Sequence, residues 1–158
     1  MSDERFGGWS IEESAFDWIL SHLPEGSTLL EFGSGFVTDE LAKHYKVYSI
    51  EHHPNYLDKR NTTYIYAPYN GGNWYNITIL KEELPKITYD FILIDGPDSN
   101  KRNNFFKHSD MFNLSVPMLF DDMNEEWLRN PAETFINEIV KRPYELIKGY
   151  EKSSIGVA

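Results

Sequence analysis

The sequence predicts an α/β fold: a doubly wound, mainly parallel sheet in an α/β/α three-layer sandwich, closed by an antiparallel strand pair. Three observations carry that prediction. Short apolar runs alternate with stretches of helical spacing, which is the signature of strand–helix–strand crossovers. The runs are nearly continuous in apolar residues, as strands covered on both faces are. Four of them stop at a carboxylate, and glycines or prolines mark several of the turns that follow. The 158 residues amount to one domain over 1–158, and a composition 41% hydrophobic and 15% aromatic supplies its core.

Each element follows in order. Ser10 with Glu13 three residues later forms a capping-box pattern, and apolar residues from Ile11 to Leu23 recur at helical spacing, so a helix is expected over 11–23. Residues 28–32 (TLLEF) read as a buried strand halted by Gly33 and Gly35, and 37–45 as a helix. Strands are expected over 47–50, ending at Glu51, and over 64–67, ending at Pro68. Residues 71–85 are partly helical. The run 89–94 (YDFILI) is the least ambiguous strand and ends at Asp95-Gly96-Pro97; the run 116–120 ends at Asp121-Asp122. Asn130-Pro131-Ala132-Glu133 reads as an N-cap with a first-turn proline, opening a helix whose apolar face holds Phe135, Ile136, Ile139 and Val140. Residues 144–149 and 154–157 close the sheet as a strand pair.

Composition excludes several functions. With 15 Lys+Arg against 25 Asp+Glu the formal charge is −10, and no basic cluster interleaved with aromatics appears, so nucleic acid is not an expected partner. The absence of cysteine removes disulfides, thiolate zinc sites and cysteine nucleophiles. His22, His44, His52 and His53 lack the spacing of a zinc site. No stretch approaches the length of apolar chain a membrane span needs, and the first residues lack the features of a signal peptide; a cytoplasmic location, away from membranes, is the expectation.

In a sheet of this kind ligands bind beyond the carboxyl ends of the strands, where strand order reverses. Glu31, Glu51, Asp95, Asp121 and Asp122 all fall there. The segment Glu31-Phe32-Gly33-Ser34-Gly35 has the form ExGxG, in which glycines let the backbone approach a ligand closely. A dinucleotide fingerprint requires a third glycine, where this chain has Thr38. An acid before the glycines suits a cationic or amino-bearing ligand, and Glu51, at the next strand's end beside His52, is placed to accept both hydroxyls of a ribose. Read blandly, these are a glycine turn and a solvated strand end.

The motifs LEFGSGFVT, YSIEHHPNY, YDFILIDGP and LFDDM resemble those of the class I S-adenosylmethionine-dependent methyltransferases, over a span from Trp9 to the C-terminus. The resemblance implies a Rossmann-like methyltransferase fold and S-adenosylmethionine as cofactor. It assigns the amino-acid end of that cofactor to Glu31, Gly33, Ser34 and Gly35, and the ribose to Glu51 with His52 beside it. Asp95 completes the cofactor set. Family members often carry an acid after the third strand to contact adenine; this chain has Ala67-Pro68-Tyr69, which leaves Trp74 or Tyr75 to pack on the ring or in the core.

Asp95, Asp121 and Asp122 also match, position for position, the metal site of the catechol and sugar O-methyltransferases, which implies Mg²⁺ held by three carboxylates. Such an ion orients two acceptor oxygens and acidifies a bound hydroxyl. The competing reading makes these aspartates turn and cap residues. The lysine that serves catechol-type enzymes as base is replaced by Asp98, so the catalytic candidates are Asp95, Asp98 and His108, while Arg102 is either an acid clamp or an ordinary solvated arginine. The expected activity is methyl transfer to a hydroxyl of a small molecule or sugar. The alternatives are a metal-independent N-methyltransferase, a cofactor-binding module without turnover and, last, a nicotinamide-dependent dehydrogenase. The acceptor is expected against residues 6–9, against the loop after Asp95, or against a neighbouring subunit of a homo-oligomer.

Overall fold

The computed structural model describes residues 4–158. Seven strands, β1 (Thr28–Phe32), β2 (Lys46–Glu51), β3 (Thr63–Tyr66), β4 (Phe91–Ile94), β5 (Met118–Phe120), β6 (Glu145–Lys148) and β7 (Ser153–Val157), form one sheet of order β3-β2-β1-β4-β5-β7-β6. The first five run parallel, and β7 pairs antiparallel with both β5 and β6, as the sequence predicts. The helices are α1 (Glu13–His22), α2 (Phe36–Ala42), α3 (Ile77–Glu83), the single turn α4 (Ser99–Arg102) and α5 (Glu126–Phe135). Among the described residues no helix is long and apolar enough to cross a membrane.

Period-two alternation splits each strand between two cores. Leu29, Val47, Phe91, Leu93 and Leu119 face α1 and α2, where Ile11, Phe16, Trp18, Ile19 and Leu41 cover them. Leu30, Phe32, Ile50, Ile92, Ile94 and Phe120 face the opposite layer, packed by Trp74, Tyr75, Leu80, Phe105, Leu128 and Phe135. Both layers are apolar, so the strands read as unbroken hydrophobic runs. Trp18 seats on β7 at Gly156, where even a Cβ would lie 2.6 Å from the indole.

Two helix starts differ from expectation. The N-cap of α1 is Glu12, and no Ser10–Glu13 capping box forms. The Glu12 carboxylate instead accepts the N–H groups of Glu151 and Lys152, at 2.5 and 2.9 Å, so it serves the β6–β7 turn rather than its own helix. Helix α5 begins at Glu126, which puts Pro131 inside it and makes Asn130 a helical residue, not the cap. Proline leaves the carbonyl four residues back without its helical donor. That carbonyl belongs to Trp127, and Asn103 Nδ2 donates to it at 2.9 Å, so a neighbouring segment supplies what the sequence pattern lacks.

Candidate active site

From β1 the chain winds outward through β2 and β3, then returns to the other flank of β1 as β4. The carboxyl ends of β1 and β4 therefore part at a switch point, and a cleft of about 1020 Å³ opens there. The glycine bend after β1 forms its floor. Gly33 has φ +85°, which favours glycine, and donates its N–H to the Ile50 carbonyl at 2.8 Å. Gly35 is extended, and the nearest atom to a Cβ built there is Ser10 Oγ, 4.0 Å off, so its missing side chain leaves open cleft.

Glu31 does not itself line the cleft. It is buried beneath the bend, where Ser49 Oγ and Thr38 Oγ1 donate to it at 2.5 and 2.6 Å, and Thr38 Oγ1 in turn accepts the Gly35 N–H at 3.0 Å. Thr38, where a dinucleotide fingerprint has glycine, is thus the strut between Glu31 and the bend. Burial pushes the Glu31 carboxyl up to about 7, against the downward pull of those two hydroxyls.

Glu51 occupies the position expected of it. Its carboxylate lines the cleft, 2% exposed, and accepts from Ser34 Oγ at 2.9 Å and from the N–H groups of His52 and His53 at 2.9 and 3.3 Å. All three donors are neutral. The His52 ring lies parallel to Tyr69 at 4.2 Å, and burial holds it below the ordinary histidine range despite the upward pull of Glu51. Tyr75 also reaches the cleft, and its buried hydroxyl has no partner among the described residues. Burial, then Glu51, pushes that phenol well above its usual range, which keeps the proton on a group able to donate.

Trp74 and His108 lie elsewhere. They stack on one another at 5.2 Å in a separate cavity of about 390 Å³, so Trp74 is not a wall of the cleft and His108 is no candidate base there. Period-two geometry has no hold on this loop, and two adjacent aromatics point to different spaces. Tyr75 forms a wall common to both.

Asp95, Asp121 and Asp122 converge, with ligand oxygens within 4.8 Å of one another. Cationic side chains already fill the space between them. Lys152 Nζ lies 2.7 Å from Asp121 Oδ2 and 3.3 Å from Asp122 Oδ1, and Arg102 Nη1 is 2.5 Å from Asp122 Oδ2. Arg102 Nη2 donates to the Asp95 and Pro97 carbonyls, at 3.1 and 3.3 Å, so this arginine is neither solvated nor free to clamp a substrate. Burial raises the Asp122 carboxyl, but Arg102 and then Lys152 outweigh it and hold the group below its ordinary value. Asp95, burdened by burial and then by Asp121, sits well above its own. Mg²⁺ takes oxygens at about 2.1 Å and tolerates no ammonium among them. The residues as arranged do not fit the Mg²⁺ that the resemblance implies.

They do fit S-adenosylmethionine: an open-sided glycine bend, a carboxylate hydrogen-bonded by one hydroxyl and two backbone N–H groups, and a tyrosine hydroxyl with no partner among the described residues share one cleft. Gly8, Trp9 and Ser10 complete its rim together with Asp98, which is exposed, and Pro97. Sequence reading missed Lys152. The available signal was register: with Phe120 opposite Ile155, Asp121 and Asp122 fall across from Ser154 and Ser153, and Lys152 is the next residue along.

No family model matches the sequence, and no curated protein does. Solved structures match over nearly the whole chain. The precorrin-8w decarboxylase of Methanobacterium thermoautotrophicum is 12% identical with a TM-score of 0.65, over 100% of this chain and 96% of that one. An O-methyltransferase from Bacillus cereus in complex with SAH is 14% identical with a TM-score of 0.64, over 96% and 84%. The precorrin-6y C5,15-methyltransferase of Geobacter metallireducens is 15% identical with a TM-score of 0.62, over 99% and 90%. The strand order, the switch-point cleft and these likenesses agree: the chain has the fold of the class I S-adenosylmethionine-dependent methyltransferases.

Proposed function

We propose that this chain is an S-adenosylmethionine-dependent methyltransferase that methylates a hydroxyl of a small molecule or sugar. The observation that carries the reading is Glu51: a carboxylate at the cleft, 2% exposed, whose hydrogen-bond donors among the described residues are one hydroxyl and two backbone N–H groups, with the His52 ring Nδ1 at 3.4 Å. Burying an anion with no lysine or arginine partner among the described residues is costly, and its lone pairs are offered to ribose hydroxyls. The bend at Gly33–Gly35 gives the amino-acid end of the cofactor close access to backbone, and Tyr75 Oη has a proton to donate at the same cleft.

When bound, the cofactor supplies a methyl group activated on a sulfonium. The chain's task is then to hold an acceptor in line and to take its proton. Asp95 lines the cleft as a member of the carboxyl cluster that an acceptor bound there would meet. Asp98 stands exposed at the rim as the second carboxylate in reach. An amine acceptor is the second reading, favoured by the cations seated among the aspartates, since an amine needs no metal to become nucleophilic.

Calorimetric titration with S-adenosylmethionine tests the reading. One site is expected, and Glu51→Ala should weaken it by about 3 kcal/mol, roughly hundredfold in Kd. No affinity in the wild-type chain, or affinity untouched in the variant, removes the proposal. Binding without methyl transfer to any hydroxyl- or amine-bearing acceptor in a broad panel reduces it to a binding module.

A further inference from the structure

We propose that Lys152 is the resident cation of the Asp95–Asp121–Asp122 cluster, standing where a divalent metal would, and that the cleft therefore accepts substrates presenting one nucleophilic group rather than a chelating pair of oxygens. The second half of this statement rests on the methyl-transfer reading; the first does not.

The geometry around Lys152 is that of a filled site. Its ammonium has three N–H donors. Three acceptors surround it: Asp121 Oδ2 at 2.7 Å, the Gly8 carbonyl at 3.0 Å and Asp122 Oδ1 at 3.3 Å. The lysine side chain is 8% exposed and that of Asp121 is fully buried, so the pair is shielded from competing water. The backbone that carries the lysine is itself pinned, its N–H donating to Glu12 Oε1 at 2.9 Å. Arg102 closes the other side on Asp122 Oδ2 and on the carbonyls of Asp95 and Pro97.

For a divalent ion to enter, the ammonium must leave three partners and a buried position, which costs several kcal/mol before any metal ligand is gained. The outcome for specificity follows. A bound metal rewards acceptors that offer it two neighbouring oxygens. Lys152, with every N–H engaged inside the protein, offers no such reward, so vicinal oxygens carry no advantage here. Its bond to Gly8 also ties the rim of the cleft to the cluster, which makes Lys152 a positioning residue.

The experiment is titration with Mn²⁺ alone, read by loss of the free-ion electron paramagnetic resonance signal, on the wild-type chain, Lys152→Ala and Lys152→Ala/Asp121→Asn. The wild-type chain is expected to bind no stoichiometric ion. Lys152→Ala should gain one site at least about tenfold tighter than any wild-type binding, and the added Asp121→Asn should abolish it. A purely structural lysine would give no such gain. One Mn²⁺ bound by the wild-type chain overturns the proposal, as does a folded Lys152→Ala that acquires none. Should Lys152→Ala not fold, the wild-type titration decides alone. Separate titration with S-adenosylmethionine reports on the methyl-transfer reading, so each can fail without the other.

Discussion

Two buried carboxylates at strand ends, Glu51 closing β2 and Asp121 just after β5, are treated in opposite ways. Asp121 is satisfied from within, by the Lys152 ammonium and the Ser154 hydroxyl. Glu51 has no lysine or arginine partner among the described residues and opens on the cleft. An acid at the end of a strand does not by itself announce a ligand site; what matters is whether the fold has already spent it on a cation. One half of the cleft is therefore prepared for an incoming molecule, and the other half is an internal ion cluster that holds β5, β7 and the N-terminal segment together.

Isosteric amides should break or confirm that contrast. Asp121→Asn leaves a buried ammonium short of its nearest partner and is expected to cost about 3 kcal/mol in urea denaturation. Glu51→Gln keeps one oxygen for the two backbone donors and turns an amide N–H toward Ser34 Oγ, which can accept it, so the variant is expected to stay within about 1 kcal/mol of the wild-type chain, while cofactor affinity collapses. Equal stability losses would erase the distinction between the two halves.

The same contrast explains what could be read in advance. The alternation of strands and helices, the glycine bend and the placing of Glu51 at a strand end follow from apolar runs and their punctuation, which are local properties, whereas strand order came with the resemblance. The convergence of the three aspartates came with the resemblance, because it depends only on neighbouring parallel strands. What escaped were partners brought from afar. Lys152 meets Asp121 across 31 residues, and Glu12 meets the β6–β7 turn across about 140. Asn103 completes the carbonyl that Pro131 abandons, so a strong local start signal at Asn130 was overridden by tertiary contact. Trp74 and Tyr75, adjacent in sequence, could not be sorted between cavity and cleft without the loop's path.

The ion cluster depends in turn on the register of β7, which Trp18 sets by seating on Gly156. Gly156→Ala would drive a methyl to within 2.6 Å of the indole and is expected to destabilise the chain by about 1–3 kcal/mol in the same denaturation assay. If β7 shifts as it yields, the Lys152–Asp121 pair loosens with it, and the variant should gain Mn²⁺ affinity as well as lose stability. Lost stability without that gain would mean the strand relaxes without moving the cluster.

The most gradual effect, spread over more than two pH units, belongs to the third treatment of an acid here, Glu31, buried with hydroxyls. Its carboxyl sits at about 7 in the folded chain against an ordinary 4.5, with burial as the main cause. Below pH 4.5 it is protonated whether the chain is folded or not, and the favourable folded-state protonation is fully present. Between pH 4.5 and about 7 the unfolded chain releases the proton while the folded chain keeps it, so stability falls as pH rises, by at most about 1.4 kcal/mol per unit, and levels off above. Glu31→Gln cannot titrate. The difference in unfolding free energy between wild type and variant, measured across that window, should therefore slope downward with rising pH and then flatten. A flat difference throughout would mean that Glu31 is ionised beneath the bend over that whole window, as it is in the unfolded chain. Thr38 and Ser49 would then be stabilising a second uncompensated anion, and Glu51 would no longer be distinguished by its neutral company alone.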